Sequence, residues 1–224
     1  MPPSSGPIAW LDYGCGAGGL LKFLRDRRVL NGRSLELTGH DVGSYADLLR
    51  DVDGFRMLGM DEVATEPGER YDVITSIEVV EHLPEPEPVF ANMARLLKPG
   101  GLLILTTGNM HGRAARAKGI HYRYCLPEVH VSLFSPPTLR FLYDRHGLHP
   151  RAVRYDGVVR FKALKTLKHL RRLNRAVRAA LAVPPVVRLI DWYFGVSAMP
   201  CAMKPLRQHN AETASHPAST SSVP

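Results

Sequence analysis

Short apolar runs, bounded by glycine, proline and polar residues, recur through the first half of the chain and predict buried β-strands. The first run covers residues 8–13, ends in a glycine-rich turn and leads into a helix that begins at Leu20. Further strands are predicted at residues 34–41, 55–58, 71–77 and 102–106. The last of these follows a helix end and a Pro-Gly-Gly turn and is apolar throughout, as expected for a strand covered on both faces. The pattern therefore predicts an α/β fold with a mostly parallel sheet.

The glycine-rich turn has the spacing Asp-x-Gly-x-Gly-x-Gly, beginning at Asp12. Glycines at a strand-to-helix turn allow backbone N–H groups to approach a ligand closely, although a doubly wound sheet also uses them for purely structural reasons. The spacing differs from the dinucleotide-binding Gly-x-Gly-x-x-Gly pattern. A carboxylate at the strand end repels phosphate and suits an ammonium group. We therefore expect a cofactor that carries an amine and no phosphate.

Four segments in this order resemble the class I S-adenosylmethionine-dependent methyltransferases: residues 11–20, 39–41, 71–84 and 97–105. The resemblance covers residues 8–206. It implies a Rossmann-like, doubly wound sheet of seven mostly parallel strands with a reversed final hairpin. It also implies that S-adenosylmethionine lies across the carboxyl ends of the strands, where open α/β sheets bind ligands.

The resemblance assigns roles to individual residues around that cofactor. Asp12 and the loop of Gly14, Gly16 and Gly18 would hold the methionine end, and Asp41, at the tip of the second strand, would accept from the ribose hydroxyls. Asp61 or Glu62 would face the adenine, with the backbone of Ile77 on its other side. The full candidate set also contains two neighbours of these residues, Cys15 and Val42.

Acidic residues and a histidine directly follow the predicted strand at 71–77, at the edge of the sheet where ligands bind. A helical turn there would place Glu78, Glu81 and His82 on one face. A second histidine, His130, precedes a helix predicted to start at Ser135. Two carboxylates and two imidazoles form a set of ligands for Mg²⁺ or Mn²⁺. The alternative is that the glutamates are a solvated face and His82 caps or packs.

The Glu-x-x-Glu-His pattern is similar to the metal motif of small-RNA 2′-O-methyltransferases. Residues 78–84 also resemble a run in the ubiquinone-biosynthesis O-methyltransferases. By this resemblance, Glu78, Glu81, His82 and His130 would hold a divalent ion that lowers the pKa of an acceptor hydroxyl. Without a metal, His82 or His130 would be the general base, because imidazole titrates near neutral pH. The long stretch at 107–124 is predicted to be a binding loop or lid.

Composition predicts one α/β domain, since the chain has 224 residues and is 45% hydrophobic. Cys15, Cys125 and Cys201 form no Cys-x-x-Cys pair and are expected to be reduced thiols. The chain has no signal-peptide pattern and no apolar run of membrane-spanning length. We therefore expect a cytoplasmic protein. The one or two helices that usually precede the glycine loop in this family are expected to be largely missing, and the polar tail at 208–224 is expected to be disordered.

Positive charge is concentrated near the end of the chain. Residues 158–207 contain eleven Lys and Arg and one acid, Asp191, whereas the whole chain has a formal charge of +8. A basic helical insertion is predicted at 158–194, before the last strand, with its main helix at 161–182. An apolar stripe follows one side of that helix and basic residues follow the other; the stripe consists of Leu167, Leu170, Leu173, Val177 and Leu181. Phe161 and Leu164 fall off this stripe. Three interpretations stay open: packing on the domain, peripheral contact with an anionic membrane, and nucleic-acid binding.

These patterns predict a methyltransferase that acts on a hydroxyl of a small-molecule or lipid-linked acceptor, with metal assistance as an additional feature. An RNA ribose 2′-O-methyltransferase is the alternative enzyme, because the metal pattern and the basic helix suit it as well. A non-catalytic S-adenosylmethionine-binding module is the alternative outside enzymes.

Overall fold

The computed structural model describes residues 6–151 and 201–205, and every structural statement below refers to them. The insertion predicted at 158–194, its helix at 161–182 and the tail at 208–224 lie outside the described residues. The described strands are β1 Ile8–Tyr13, β2 Val29–Leu30, β3 Arg33–His40, β4 Arg56–Leu58, β5 Tyr71–Ile77, β6 Leu97–Thr106, β7 His149–Arg151 and β8 Cys201–Met203. The described helices are α1 Gly19–Arg27, α2 Ser44–Leu49, α3 Met60–Thr65, α4 Glu87–Leu96, α5 Arg113–Lys118 and α6 Pro136–Arg145.

One sheet with β1 near its centre organises the described residues. Its order is β4-β3-β1-β5-β6-β8-β7, and the short β2 pairs antiparallel with β3. Neighbours from β4 to β6 are parallel, whereas β8 is antiparallel to both β6 and β7. The prediction of a mostly parallel sheet with a reversed final pair of strands is confirmed. Because the parallel strands point the same way, the loops that follow β1, β3, β4, β5 and β6 meet at one edge.

Apolar residues on both faces of the sheet form two cores. Leu11 of β1 belongs to one core together with Ile74 and Phe90. Trp10, its neighbour along the strand, belongs to the other core together with Leu21 of α1. Successive side chains of a strand point to opposite faces, so β1 is buried on both sides, as its continuous apolar sequence predicts.

Two local predictions compare directly with the structure. The Pro-Gly-Gly turn lies inside β6, which begins directly after α4, and the pairing with β5 shifts from Tyr71↔Leu97 to Val73↔Leu102 across it. Gly100 has a φ of 78° there, which glycine tolerates without strain. The helix start at Ser135 is confirmed, because its side chain accepts a hydrogen bond from the backbone N–H of Thr138.

Among the described residues, no helix combines the length and apolar composition needed to cross a bilayer.

Candidate active site

A cavity of about 690 Å³ opens at the carboxyl edge of the sheet, between the loops after β1, β3 and β5. Its lining includes most residues predicted to touch the cofactor, together with two from the predicted metal motif: Asp12, Gly14, Cys15, Gly16, Asp41, Val42, Ile77, Glu78 and His82. Leu20, Val79, Leu83 and Val89 add an apolar wall. The cavity is large enough for a ligand of nucleoside size and is part apolar and part acidic.

The glycine loop follows β1 and is fixed to the end of β3. The backbone N–H groups of Gly14 and Cys15 donate to the carbonyl of His40 at 2.7 and 2.9 Å. Gly14 has a φ of 79°, and a β-carbon there would lie 2.4 Å from Cγ2 of Val79. Only glycine satisfies both the backbone conformation and this close approach. The loop is therefore shaped by its glycines and open toward the cavity.

Asp41 links two turns through its carboxylate. Its Oδ2 accepts from the N–H of Gly16 at 2.7 Å, and its Oδ1 accepts from the N–H of Gly43 at 2.8 Å. Each carboxylate oxygen has a second lone pair, so both bonds leave acceptor capacity for a ligand hydroxyl. Asp41 thus holds the glycine loop in place and faces the cavity at the same time.

Asp12 is a buried carboxyl at the end of β1, with 4% of the residue exposed. Its Oδ1 accepts from the hydroxyl of Thr75 at 2.6 Å. Burial raises the pKa of Asp12 from 3.8 to about 6, opposed by the Thr75 hydrogen bond and assisted by the nearby charge of Asp41. The Thr75 hydrogen bond only partly offsets the loss of hydration of this buried carboxylate. A cationic ligand would therefore stabilise its charged form, which suits the ammonium group expected there.

Neither acid predicted to face adenine is among the described residues that line the cavity. Met60 lines it, whereas the Glu62 carboxylate accepts from the N–H of Gly59 at 2.6 Å and pairs with Arg50. Asp61 is exposed, and its described bond is the backbone carbonyl that accepts from Thr65. Gly18 does not line the cavity; its φ of 70° caps the start of α1. Contacts of Asp61, Glu62 and Gly18 with the cofactor therefore stay predictions.

Glu81, His82 and His130 form a cluster in which one ligand atom from each lies within 4.8 Å of the others. Glu81 is buried, with 1% exposed. Its Oε2 accepts from the hydroxyl of Thr107 at 2.8 Å, whereas its Oε1 has no hydrogen-bond partner among the described residues. Burial raises the pKa of the Glu81 carboxyl. An orphaned buried carboxylate oxygen beside two imidazoles fits a bound cation.

Backbone carbonyls orient both histidine rings of this cluster. His82 Nδ1 lies 2.6 Å from the carbonyl of Val129, and His130 Nδ1 lies 3.1 Å from the carbonyl of Arg123. A carbonyl only accepts, so each Nδ1 donates its proton to the carbonyl, and in the neutral form of each ring the lone pair lies on Nε2. Histidines that bind metals usually donate their other ring N–H in this way.

Glu78 is not part of that cluster in the described residues. The helical turn considered for residues 78–82 forms only at Val80–His82, as a single turn of 3₁₀-helix. Glu78 precedes it in a left-handed conformation, with a φ of 57°. Its carboxylate accepts from the hydroxyls of Tyr124 and Thr106 and lies 3.7 Å from the guanidinium of Arg123. The structure therefore brings together three of the four predicted metal ligands.

Several contacts at the site escaped the sequence reasoning. Thr75 of β5 and Thr107, directly after β6, are buried partners of the carboxylates of Asp12 and Glu81, and nothing in the sequence distinguishes them from other threonines. Tyr124 lies in the stretch predicted as a binding loop, which contains α5 and two 3₁₀ turns. Its phenol bonds to Glu78, and burial together with this bond raises its pKa.

Comparison with known proteins gives a family and a fold. A family model described as a methyltransferase domain matches residues 2–153. Two curated relatives are both named ubiquinone biosynthesis O-methyltransferase. The protein from Pseudomonas savastanoi pv. phaseolicola is 34% identical over 112 residues, which cover 46% of this chain and 46% of the relative. The protein from Coxiella burnetii is 32% identical over 111 residues, covering 46% and 45%. The match spans a little under half the length of these relatives.

Solved structures share the fold at low sequence identity. The [4+2]-cyclase SpnF superposes with a TM-score of 0.55 at 19% identity, covering 90% of this chain and 77% of SpnF. A SAM-dependent methyltransferase from Methanosarcina mazei superposes with a TM-score of 0.51 at 18% identity, covering 67% and 84%. One of these two is named as a cyclase, so the fold alone does not determine the reaction. The matches confirm the fold predicted from the four sequence segments, and they leave the Glu-x-x-Glu-His interpretation untested.

Proposed function

The chain belongs to the methyltransferase-domain family, and from that premise we propose that it transfers a methyl group from S-adenosylmethionine to an oxygen of a small-molecule or lipid-linked acceptor. The observation that carries the proposal is the position of His82. It lines the cofactor cavity and also belongs to the cluster with Glu81 and His130. Groups able to activate a hydroxyl therefore adjoin the space in which a cofactor would lie.

The cavity residues fit S-adenosylmethionine, which supplies a methyl group already activated on a sulfonium. Asp12 would accept from the ammonium of its methionine part, and Asp41 would accept from a ribose hydroxyl. The loop glycines and Cys15 would contact the cofactor through their backbone atoms. Ile77 and Val42 would contact the adenosine part, with Asp61 or Glu62 at the adenine edge. The protein's main task is then to align the acceptor oxygen in a pocket shielded from water.

Metal assistance is the second part of the proposal. Glu81, His82 and His130 would hold the ion, which supplies Lewis-acid chemistry that lowers the pKa of an acceptor hydroxyl. A mixed set of one carboxylate and two imidazoles favours Mn²⁺ over Mg²⁺, because Mg²⁺ prefers oxygen ligands. Without an ion, the free Nε2 of His82 would take the proton of the acceptor directly.

The names of the relatives support an oxygen acceptor on a small molecule, and the concentrated charge of residues 158–207 supports an anionic surface as a further partner. The basic helix predicted at 161–182 would contact that surface peripherally. RNA is the alternative partner for the same charge. A module that binds S-adenosylmethionine without turnover is the alternative to an enzyme.

The test is a transfer assay with S-adenosylmethionine labelled on its methyl group. Purified protein is incubated with separate pools of polar metabolites, lipid extract and RNA, with and without EDTA. Label recovered in a metabolite or lipid as an alkali-stable ether supports the proposal. Label in RNA selects the alternative enzyme. Cofactor binding by calorimetry with no label in any pool selects the non-catalytic module.

A further inference from the structure

The two glutamates of the Glu-x-x-Glu-His run serve different parts of the site. Glu81 faces His82 and His130, whereas Glu78 lines the cofactor cavity and bonds to Tyr124. We propose that Tyr124 is a positioning residue, whose phenol holds the Glu78 carboxylate on the cofactor side and keeps it out of the Glu81, His82 and His130 cluster. This rests on the proposed metal assistance and concerns its ligand set.

Tyr124 is held in one place by its surroundings. Its buried ring lies 4.9 Å from the ring of His130 and 5.4 Å from that of Tyr122, measured between centroids. A β-carbon on Gly108 would lie 2.3 Å from Cγ of Tyr124, so the backbone at Gly108 packs directly against the ring. Because these neighbours pack closely around the Tyr124 ring, its hydroxyl has few alternative positions.

Glu78 is also held in place, both by its backbone conformation and by the hydrogen bonds of its carboxylate. Its left-handed backbone conformation, with a φ of 57°, directs the chain out of β5 in a way that non-glycine residues rarely adopt. The carboxylate then receives the Tyr124 hydroxyl on Oε2 and the Thr106 hydroxyl on Oε1, at 3.3 Å for the latter. A phenol that donates to a carboxylate forms a charge-assisted bond, which is stronger than a neutral one. The guanidinium of Arg123 lies 3.7 Å from the same oxygen, but its side chain is exposed, so that ion pair is screened by water. Tyr124 is therefore the principal constraint on the Glu78 side chain.

The arrangement sets the number of charged ligands that a cation meets. With Glu78 held away, the cluster offers one carboxylate and two neutral imidazoles, so coordination positions stay available for acceptor oxygens. Release of Glu78 would add a second carboxylate close to the same ion. Tyr124 also stacks on His130, which gives the phenol a second contact with the cluster.

Mn²⁺ titration of four proteins tests this proposal, with affinity measured by calorimetry. They are the wild type, Tyr124→Phe, Glu78→Gln and the double variant Tyr124→Phe with Glu78→Gln. Tyr124→Phe retains the ring and its stacking and removes only the hydroxyl. We expect it to bind Mn²⁺ about tenfold more tightly, the effect of one hydrogen bond to a charged group. Glu78→Gln alone and the double variant should match the wild type. If the hydroxyl had a purely structural role, its removal would lower the Mn²⁺ affinity. The proposal instead predicts a higher affinity, and this increase requires the Glu78 carboxylate.

The outcomes separate this proposal from metal assistance itself. A wild type that binds no Mn²⁺, beside a Tyr124→Phe variant that does, would refute native metal assistance and support the role of Tyr124. Equal affinity of the wild type and Tyr124→Phe, or no binding by either, would overturn the role of Tyr124. A tenfold loss in Glu78→Gln would also overturn it, because Glu78 would then be a native ligand. Thermal melting of each variant confirms that the protein is folded.

Discussion

Gly14 and Val79 approach each other so closely that no side chain fits between them: a β-carbon on Gly14 would lie 2.4 Å from Cγ2 of Val79. The contact joins the loop after β1 to the segment after β5, and both segments line the cavity at the carboxyl edge of the sheet. The two loops that are expected to hold the cofactor and activate the acceptor therefore share one packing constraint.

Gly14→Ala is expected to destabilise the protein by about 2 to 4 kcal/mol and to abolish S-adenosylmethionine binding, since it adds backbone strain and a steric clash. Gly16→Ala is the matched control, because Gly16 has a φ of 51° but no atom within 4 Å of its β-carbon position. Urea unfolding and calorimetry measure both effects. Equal destabilisation by the two variants would show that the Val79 contact is unimportant.

Asp41→Ala should weaken S-adenosylmethionine binding by about 1.5 to 3 kcal/mol, the range for hydrogen bonds to a charged group. The variant loses the expected ribose contact and also frees the N–H of Gly16 and the N–H of Gly43. Asp47→Ala, at an exposed position in α2, is the control with the same change of charge. Wild-type affinity of Asp41→Ala in calorimetry would refute its assignment to the cofactor.

Asp12 should make the ligand-free protein less stable as the pH rises. Its folded-state pKa is raised from 3.8 to about 6, so its contribution is fully present below 3.8 and is lost as the pH rises through about 6. The loss is at most about 3 kcal/mol by the relation between pKa and free energy. Urea unfolding between pH 4 and pH 7, as the difference between wild type and Asp12→Asn, measures it. Parallel stability curves for the two proteins would contradict the raised pKa.

The sequence predicted the fold well because its signals are local. Each buried strand is a continuous apolar run, and the turn after β1 carries glycines at the positions that require positive φ. The site was predicted only in part, because side-chain partners depend on tertiary contacts. Glu78 and Glu81 look equivalent in the sequence, yet a left-handed backbone at Glu78 sends the two carboxylates to different partners. Neither Tyr124 nor Thr107 is near them in the chain.

Chelation should separate the metal from the general-base interpretation of the cluster. With metal assistance, EDTA abolishes methyl transfer and added Mn²⁺ restores it, and Glu81→Gln lowers Mn²⁺ affinity at least about tenfold through loss of a charged ligand. Glu85→Gln, an exposed acid nearby, is the control. Activity that resists EDTA but is lost in His82→Ala would instead support His82 as the general base.

The basic helix predicted at 161–182 lies outside the described residues, and its partner is decided by experiment. If its apolar side enters an anionic membrane, the double substitution Leu170→Glu with Leu173→Glu should abolish vesicle flotation, because both residues lie on the predicted apolar stripe. Phe161→Glu with Leu164→Glu is the matched control: it makes the same change of charge off the stripe and should leave most binding intact.

Salt alone does not identify the partner, since binding to lipid and binding to RNA both weaken as ionic strength rises. Each basic residue near an anionic membrane contributes about 1 kcal/mol. RNA binding through the basic side should survive the change at Leu170 and Leu173 with only a modest loss, because phosphate contacts do not need the leucines. Flotation that is absent in the wild type, or unchanged by the double substitution, would exclude membrane insertion and favour RNA or packing of the helix on its own domain.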